Sequence, residues 1–231
     1  MLISNYKTFI SNYIDNGYKF IFFDELIQNK NKQIILRHDV DLDVDLAYEM
    51  AILEKNMGIK STYFFLLSNN SYNLISTKNQ KKLIKIRELG HKVSLHFDMM
   101  IYDDVYKGLK REVKIFNEVF NEEINIISIH RPKNNLLEKP DDYFELSNSY
   151  EKKYTKDIFY FADSGGAFRY GNPLESEAFN SIRNMQLVIH PVWWMIHGNS
   201  VSQIVEKVIE KKSKKNLSHF DKSIKTFNPS S

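Results

Sequence analysis

The chemistry-bearing residues of this 231-residue chain gather where apolar runs end. In QIILRHDVDLDVDLAYEMA, residues 33–51, aliphatic residues pass into His38, Asp39, Asp41, Asp43 and Asp45 with no Gly or Pro among them. Carboxylates this close raise one another's pKa unless a cation stands nearby. A helix start, a calcium loop or a catalytic metal site would each use such a stretch. The calcium loop fails. An EF-hand starting at Asp41 needs Gly at its sixth place and Glu at its twelfth, where the chain has Leu46 and Ile52; starting at Asp39 gives Val44 and Met50. Asp43 and Asp45 suit a helix N-terminus, where an acid bonds free amides and offsets the dipole. Asp39 and Asp41 stand at i and i+2 at the end of a strand pattern. They can project into one mouth, one holding an ion and the other free as a base.

The elements that must position these residues follow from periodicity. QIILRHD, KVSLHFD, NIISIHRP, IFYFADS and QLVIHP are short apolar runs fit for buried strands; STYFFLLSNN is a sixth and YKFIFF a weaker seventh. Helical spacing lies between them. Leu42, Leu46, Met50, Leu53 and Met57 share a face that stops at Gly58, and Lys81 to Leu89 stops at Gly90. Val105 to Phe120 carries Leu109, Val113, Phe116 and Phe120 on one stripe, and Ser200 to Lys212 carries Val201, Ile204, Val208 and Ile209. Doubly buried strands alternating with helices predict a mostly parallel α/β sheet or barrel. In such a fold all strand C-termini meet at one end. That end would collect His38-Asp39, His96-Phe97-Asp98, His130-Arg131, Asp163-Ser164 and His190.

Bulk properties set the bounds. The chain is 42% apolar, enough for one large core, and no repeat or linker interrupts residues 1–231, so one domain is expected. The absence of cysteine excludes disulfides and thiolate metal sites. A net charge of +3 calls for neither nucleic acid nor an anionic membrane. The Lys- and Glu-rich segment after residue 205 reads as a solvated helix face. No apolar run is long enough to span a bilayer, and the first twenty residues lack a basic region followed by an apolar one. A cytoplasmic protein is the expectation.

Five motifs, RHDVD, GHKVSLHFD, IHRP, DSGGAFR and LVIHPVWW, stand in this order over residues 37–194. In order and spacing they resemble the polysaccharide deacetylase family (carbohydrate esterase family 4), especially its branch whose first motif reads Asp-x-Asp. The resemblance implies a distorted (β/α) barrel of about seven parallel strands. It also implies one divalent ion, zinc before iron, cobalt, nickel or manganese, and hydrolysis of N- or O-acetyl groups on sugars. By resemblance Asp39 is the base, Asp41 a metal ligand, His96 a second ligand, and His190 the acid that protonates the departing amine or alkoxide. Asp163 holds the site together and Arg169 fixes another acid, the alternative being a loop salt bridge. Gly165 and Gly166 let the backbone turn closely around a ligand.

The chain departs from the family at Met100, which stands where a second ligating His is usual and is a poor ligand for a hard or borderline cation. Asp98 and His130 are the two replacements. His130 would complete a His/His/Asp set ordinary for zinc; the alternatives are that His130 only orients Asp39, or that Asp98 pairs with a Lys or Arg. His91, at the start of its strand, reads as structural or exposed. Trp193 and Trp194 would wall a sugar pocket or cover the barrel end as core, and Arg131 is a further substrate contact. The implied substrate is a small acylated sugar, nucleotide- or lipid-linked, from the biosynthesis of a surface glycan. A non-catalytic sugar-binding descendant of the fold and a metal hydrolase of another bond are the competing readings.

Overall fold

The computed structural model describes residues 5–169 and 171–227; residues 1–4 of the N-terminal stretch read above lie outside them. Helix α1 (Tyr6–Asp15) precedes strand β1 (Lys19–Ile21), β2 (Gln33–Val40), α2 (Val44–Asn56), β3 (Thr62–Leu66), α3 (Thr77–Glu88), β4 (Lys92–Asp98), α4 (Val105–Phe120) and β5 (Ile126–His130). A more broken stretch follows, with α5 (Asn134–Glu138), β6 (Ser147–Asn148), α6 (Lys152–Thr155), β7 (Phe159–Ala162) and α7 (Glu177–Asn180). The chain returns through β8 (Met185–Ile189), α8 (Pro191–Met195) and α9 (Val201–Ser223). The strands form one curled sheet in the order β6-β5-β4-β3-β2-β8-β7, with β1 against the first half of β2, and every pair is parallel. Among the described residues no ladder joins β7 to β6, so the barrel is open there. All seven apolar runs of the sequence become strands.

Alternation along the strands separates two faces. The outer face carries Ile34, Leu36, Tyr63, Phe65, Leu95, Phe97, Ile127, Leu187 and Ile189, and helices α1–α4 pack their apolar stripes on it to form the main core. The inner face starts apolar, with Ile35, Phe64 and Ile126 packed against Phe23, Tyr154 and Ile158. Toward the strand C-termini it turns polar. Pairing register brings Leu66 beside His96 and His96 beside Ser128, while Arg37 and Asp39 point inward from β2. All eight residues of β2 are buried. A strand with Arg and Asp fully buried is stable only if those charges meet inside, and they do.

The outer face has its own buried polar cluster around Glu54. This residue lies on the buried face of α2 in place of a hydrocarbon. Its carboxylate accepts from the Tyr6 hydroxyl, from Ser61 Oγ (2.6 Å) and from the Tyr63 hydroxyl (2.8 Å), and it lies 2.7 Å from His38 Nε2. His91, buried, bonds Ser61 Oγ (3.0 Å) and the Ala51 carbonyl (3.0 Å), so it is structural. These bonds tie α1, α2, β2 and β3 together below the strand ends.

Burial alone would push Glu54 up, but His38 and the hydrogen bonds outweigh it and lower it to about 2. A depressed carboxylate contributes stability that is complete above its unfolded pKa and lost as pH falls through the folded value. Urea melts should therefore show stability draining away between about pH 4.5 and 2, and Glu54→Gln should lose less of its remaining stability over that window. Glu54→Ala strands several buried donors and should cost about 3–5 kcal/mol at neutral pH. Equal acid slopes for the wild type and the Gln variant would contradict this role.

Candidate active site

Asp39 is held before anything else in the site. Arg37, two residues earlier on the same face of β2, donates Nε to Asp39 Oδ1 (2.9 Å) and Nη2 to Oδ2 (2.7 Å). This forked pair is fully charged and buried, the guanidinium being wholly inaccessible. Burial would raise Asp39, yet Arg37, and then His96, overcompensate and hold it well below the usual carboxylate range. Ser128, from the inner face of β5, completes the arrangement: its Oγ accepts from Arg37 Nη2 (2.7 Å) and donates to Asp39 Oδ1 (2.9 Å).

That arrangement fixes His96. A hydroxyl has one proton, and Ser128 gives it to Asp39. Ser128 Oγ is therefore the acceptor toward His96 Nδ1 at 2.8 Å, which places a proton on Nδ1 and makes Nε2 the lone-pair atom of the neutral ring. This lone pair points at Asp41 Oδ1, 3.3 Å away. Asp41 lies just past the end of β2, held there by Asn69 Nδ2 on its carbonyl (2.9 Å). Its Oδ1 is buried and, among the described residues, has no hydrogen-bond partner. His130 Nδ1 is 3.6 Å from the same oxygen, and burial, then His96, lower the pKa of the His130 ring. The donor atoms of Asp41, His96 and His130 lie within 4.8 Å of one another. A carboxylate and two imidazole nitrogens of this kind are the donor set of a divalent ion, with Ser128 as the partner that orients one ring.

On the opposite side Asp163, completely buried after β7, accepts from the backbone amide of His190 (3.1 Å), from His190 Nδ1 (2.5 Å) and from Trp194 Nε1 (2.7 Å). This leaves His190 Nε2 facing Asp41 Oδ2 at 3.7 Å. Burial disfavours the imidazolium, but Asp163, followed by Asp41 and Asp39, raises its pKa to about 9. A cleft of about 710 Å³ opens over these groups, lined by Asp41, Ser68, His130, Arg131, His190 and Trp193. A smaller cavity of about 280 Å³ reaches down to Asp39, His96 and the Tyr150 and Tyr160 side chains. Gly165 and Gly166, both at positive φ, turn the chain after β7, and Gly166 sits against Val201 and the Trp193 ring.

Several expectations meet this geometry differently. Of the two replacements for the missing His, only His130 approaches Asp41; Asp98 bonds the Arg131 guanidinium and the amide of Met100 (3.0 Å). Met100 itself is exposed in the turn after β4. Arg131 lines the cleft beside that ion pair, and its positive φ turns the chain away just past His130. Arg169 is corrected: it is exposed, lies over Gly165 and, among the described residues, pairs with no acid of the site. The arginine that holds a site acid is Arg37, because strand parity points it at Asp39. Trp194 is also corrected as a sugar contact. It is buried against Tyr6 and Phe9, and its indole N–H is committed to Asp163. Trp193 does line the cleft, and its Nε1 is buried without a partner. The reading of the sequence missed Arg37 and Ser128. Both were visible as polar residues two before Asp39 and His130, and hence on the same strand face.

No protein-family model matches the chain, and no curated protein does. Solved structures do resemble it in chain path. The Streptococcus pyogenes deacetylase PplD, in complex with acetate, is 16% identical with a TM-score of 0.48, covering 89% of this chain and 88% of that one. A family 4 carbohydrate esterase from Bacillus anthracis is 12% identical (TM-score 0.47; 93% and 90% covered). The peptidoglycan deacetylase PdaC from Bacillus subtilis is 11% identical (TM-score 0.46; 86% and 100%). These are loose superpositions at low identity, and the chemistry of the site stands on the distances given above.

Ser128 offers the sharpest test of this arrangement. Ser128→Ala removes the acceptor for His96 Nδ1–H and frees the ring to change tautomer. Titration with Zn(II) should show affinity reduced about 10- to 100-fold, with the folded state retained. An unchanged affinity would remove Ser128 from the site.

Proposed function

We propose that this protein is a metal-dependent deacylase that removes an N- or O-linked acyl group, acetyl in the simplest case, from a sugar or sugar precursor. The observation that carries the reading is the unpartnered Asp41 Oδ1 between the ring nitrogens of His96 and His130. Two lone-pair-bearing atoms facing each other at 3.3 Å repel unless a positive charge lies between them. Asp41, His96 and His130 would hold that charge as a divalent ion. When bound, such an ion supplies Lewis acidity toward an acyl carbonyl.

The chain's own residues divide the remaining work. Asp39 stays ionised beside the metal ligands and is the proton acceptor on the floor of the site; Arg37 and Ser128 keep it from swinging into the cleft. His190, oriented through Nδ1 by Asp163, carries its other proton on Nε2, directed toward the cleft, where a departing amine or alkoxide needs one. Trp193 gives the cleft an aromatic wall on which the apolar face of a sugar ring packs. Arg131 and Ser68 lie at its rim for hydroxyl contacts. A phosphoester or cyclic amide would also suit a Lewis-acid site; the separate acid on the far side of Asp41 favours a reaction whose leaving group is poor without a proton.

Elemental analysis of the purified protein should find about one divalent ion per chain. Asp41→Ala should lose it and Asp98→Ala should keep it. Acetate release from a panel of N- and O-acetylated sugars should follow the ion, and His190→Gln should lower kcat by about 10²- to 10⁴-fold with the ion still in place. Full occupancy and full activity in Asp41→Ala would end this reading.

A further inference from the structure

A second cavity, of about 420 Å³, adjoins the cleft and shares Leu42, Asn70 and Ser71 with it as a common wall. It forms where the C-terminal half of α9 crosses the N-terminal ends of α2 and α3. Lys211, Lys212 and Lys215 line it from α9, and Lys78 and Lys82 of α3 reach its edge, paired with Asp45. Against these five ammonium groups stand Asp43 and Asp45. Both are already engaged: Asp43 caps α2 through the amides of Asp45 (2.7 Å) and Leu46 (3.4 Å) and lies 3.6 Å from Lys211, while Asp45 is shared among Lys78, Lys82 and Lys215. Three positive charges remain in excess around one enclosed space.

The cluster registers that excess. The Lys82 ammonium is largely buried and shares the single Asp45 carboxylate with Lys78 and Lys215. Burial, then Lys215, lower it to about 8, and Lys212 and Lys215 are pushed down as well, by burial and the neighbouring lysines against the opposing effect of Asp43. One carboxylate shared among three ammonium groups leaves the cluster short of negative charge. The positive end of α3 adds to the same field. Its N-cap, Ser76, lines the cavity and donates its hydroxyl to the Asn73 carbonyl (2.9 Å), so it caps no amide of α3. Lys212 has a structural task, since its ammonium bonds the carbonyls of Leu42 and Ser71 and so fixes the shared wall. Lys211 and Lys215, half-exposed, make no such bonds to the backbone.

We propose that this cavity binds the diphosphate of the substrate, placing the sugar esterified to it over Asp41 and His190 in the adjoining cleft. Phosphate oxygens match point-charge donors arranged around a volume, and a diphosphate esterified at both ends carries two negative charges, which offset most of the excess. The identity of the attached sugar rests on the deacylase reading above; the binding of diphosphate does not.

Calorimetry with inorganic pyrophosphate on full-length Asp41→Ala protein tests this apart from turnover and from any ion in the neighbouring site. One saturable site is expected, weakened at least tenfold when Lys211→Gln and Lys215→Gln are added. No saturable binding, or an affinity indifferent to the two lysines, would overturn the proposal and leave the deacylase reading standing. Conversely, pyrophosphate binding without acetate release from any sugar would overturn only the deacylase reading. Two further probes name the source of the diphosphate. Uridine diphosphate binding more tightly than pyrophosphate marks a nucleotide-linked sugar. Cosedimentation with phosphatidylcholine vesicles carrying a polyisoprenyl diphosphate, abolished by the two lysine changes, marks a lipid-linked one.

Discussion

At the mouth of the barrel a carboxylate oxygen of Asp41 and Nε2 of His96 face each other at 3.3 Å, and the rest of the site is arranged around that opposition. The chain of cause begins deeper. Arg37 neutralises Asp39, Ser128 gives its only proton to Asp39, and His96 must then use Nδ1 as the donor to Ser128. A buried charge on β2 thus sets the tautomer of a histidine on β4 through a hydroxyl on β5. None of these groups would be tolerated alone on a buried strand, and each is bonded to the next. The lone pairs that remain are directed at one point.

Two buried acids outside this cluster do related work. Asp163 anchors the far wall by bonding both the backbone and the ring of His190 and by tying Trp194 into the main core. Glu54 fastens α1 and α2 to the outer face of β2, which carries Asp39, and of its neighbour β3. His38 and Asp39 are adjacent in sequence and point to opposite faces, so one strand joins the structural acid to the chemical one. The rigidity of the site has a source that can be named in each direction.

Much of this was legible in the sequence because the governing pattern is short-ranged. The apolar runs became strands and their polar ends converged, since a parallel sheet leaves no alternative. The bounds of α4 are those its stripe of Leu109, Phe116 and Phe120 implied. The expectation that His130 or Asp98 replaces the missing ligand narrowed the choice to two residues; that His130 is the one near Asp41 depended on the side-chain path of Arg131, which takes Asp98. Arg169 and Trp194 misled because a position in a motif says nothing of which way a loop side chain turns. Arg37 was hidden in plain view: a strand's two-residue period placed it beside Asp39. Glu54 was hidden more deeply, since its partners come from three separate stretches of chain. The lysine cavity was hidden for the same reason, because the lysines of α9 read as a solvated face until the fold laid that helix across α2 and α3.

The most direct measurement is an anomalous difference map from crystals soaked in Zn(II), with data collected on both sides of the zinc absorption edge. The expected result is one peak, about 2.0–2.2 Å from Asp41 Oδ1, His96 Nε2 and a ring nitrogen of His130, with His96 Nδ1 still bonded to Ser128. A map without density at that point, or with zinc bound by Asp98 instead, would contradict the account.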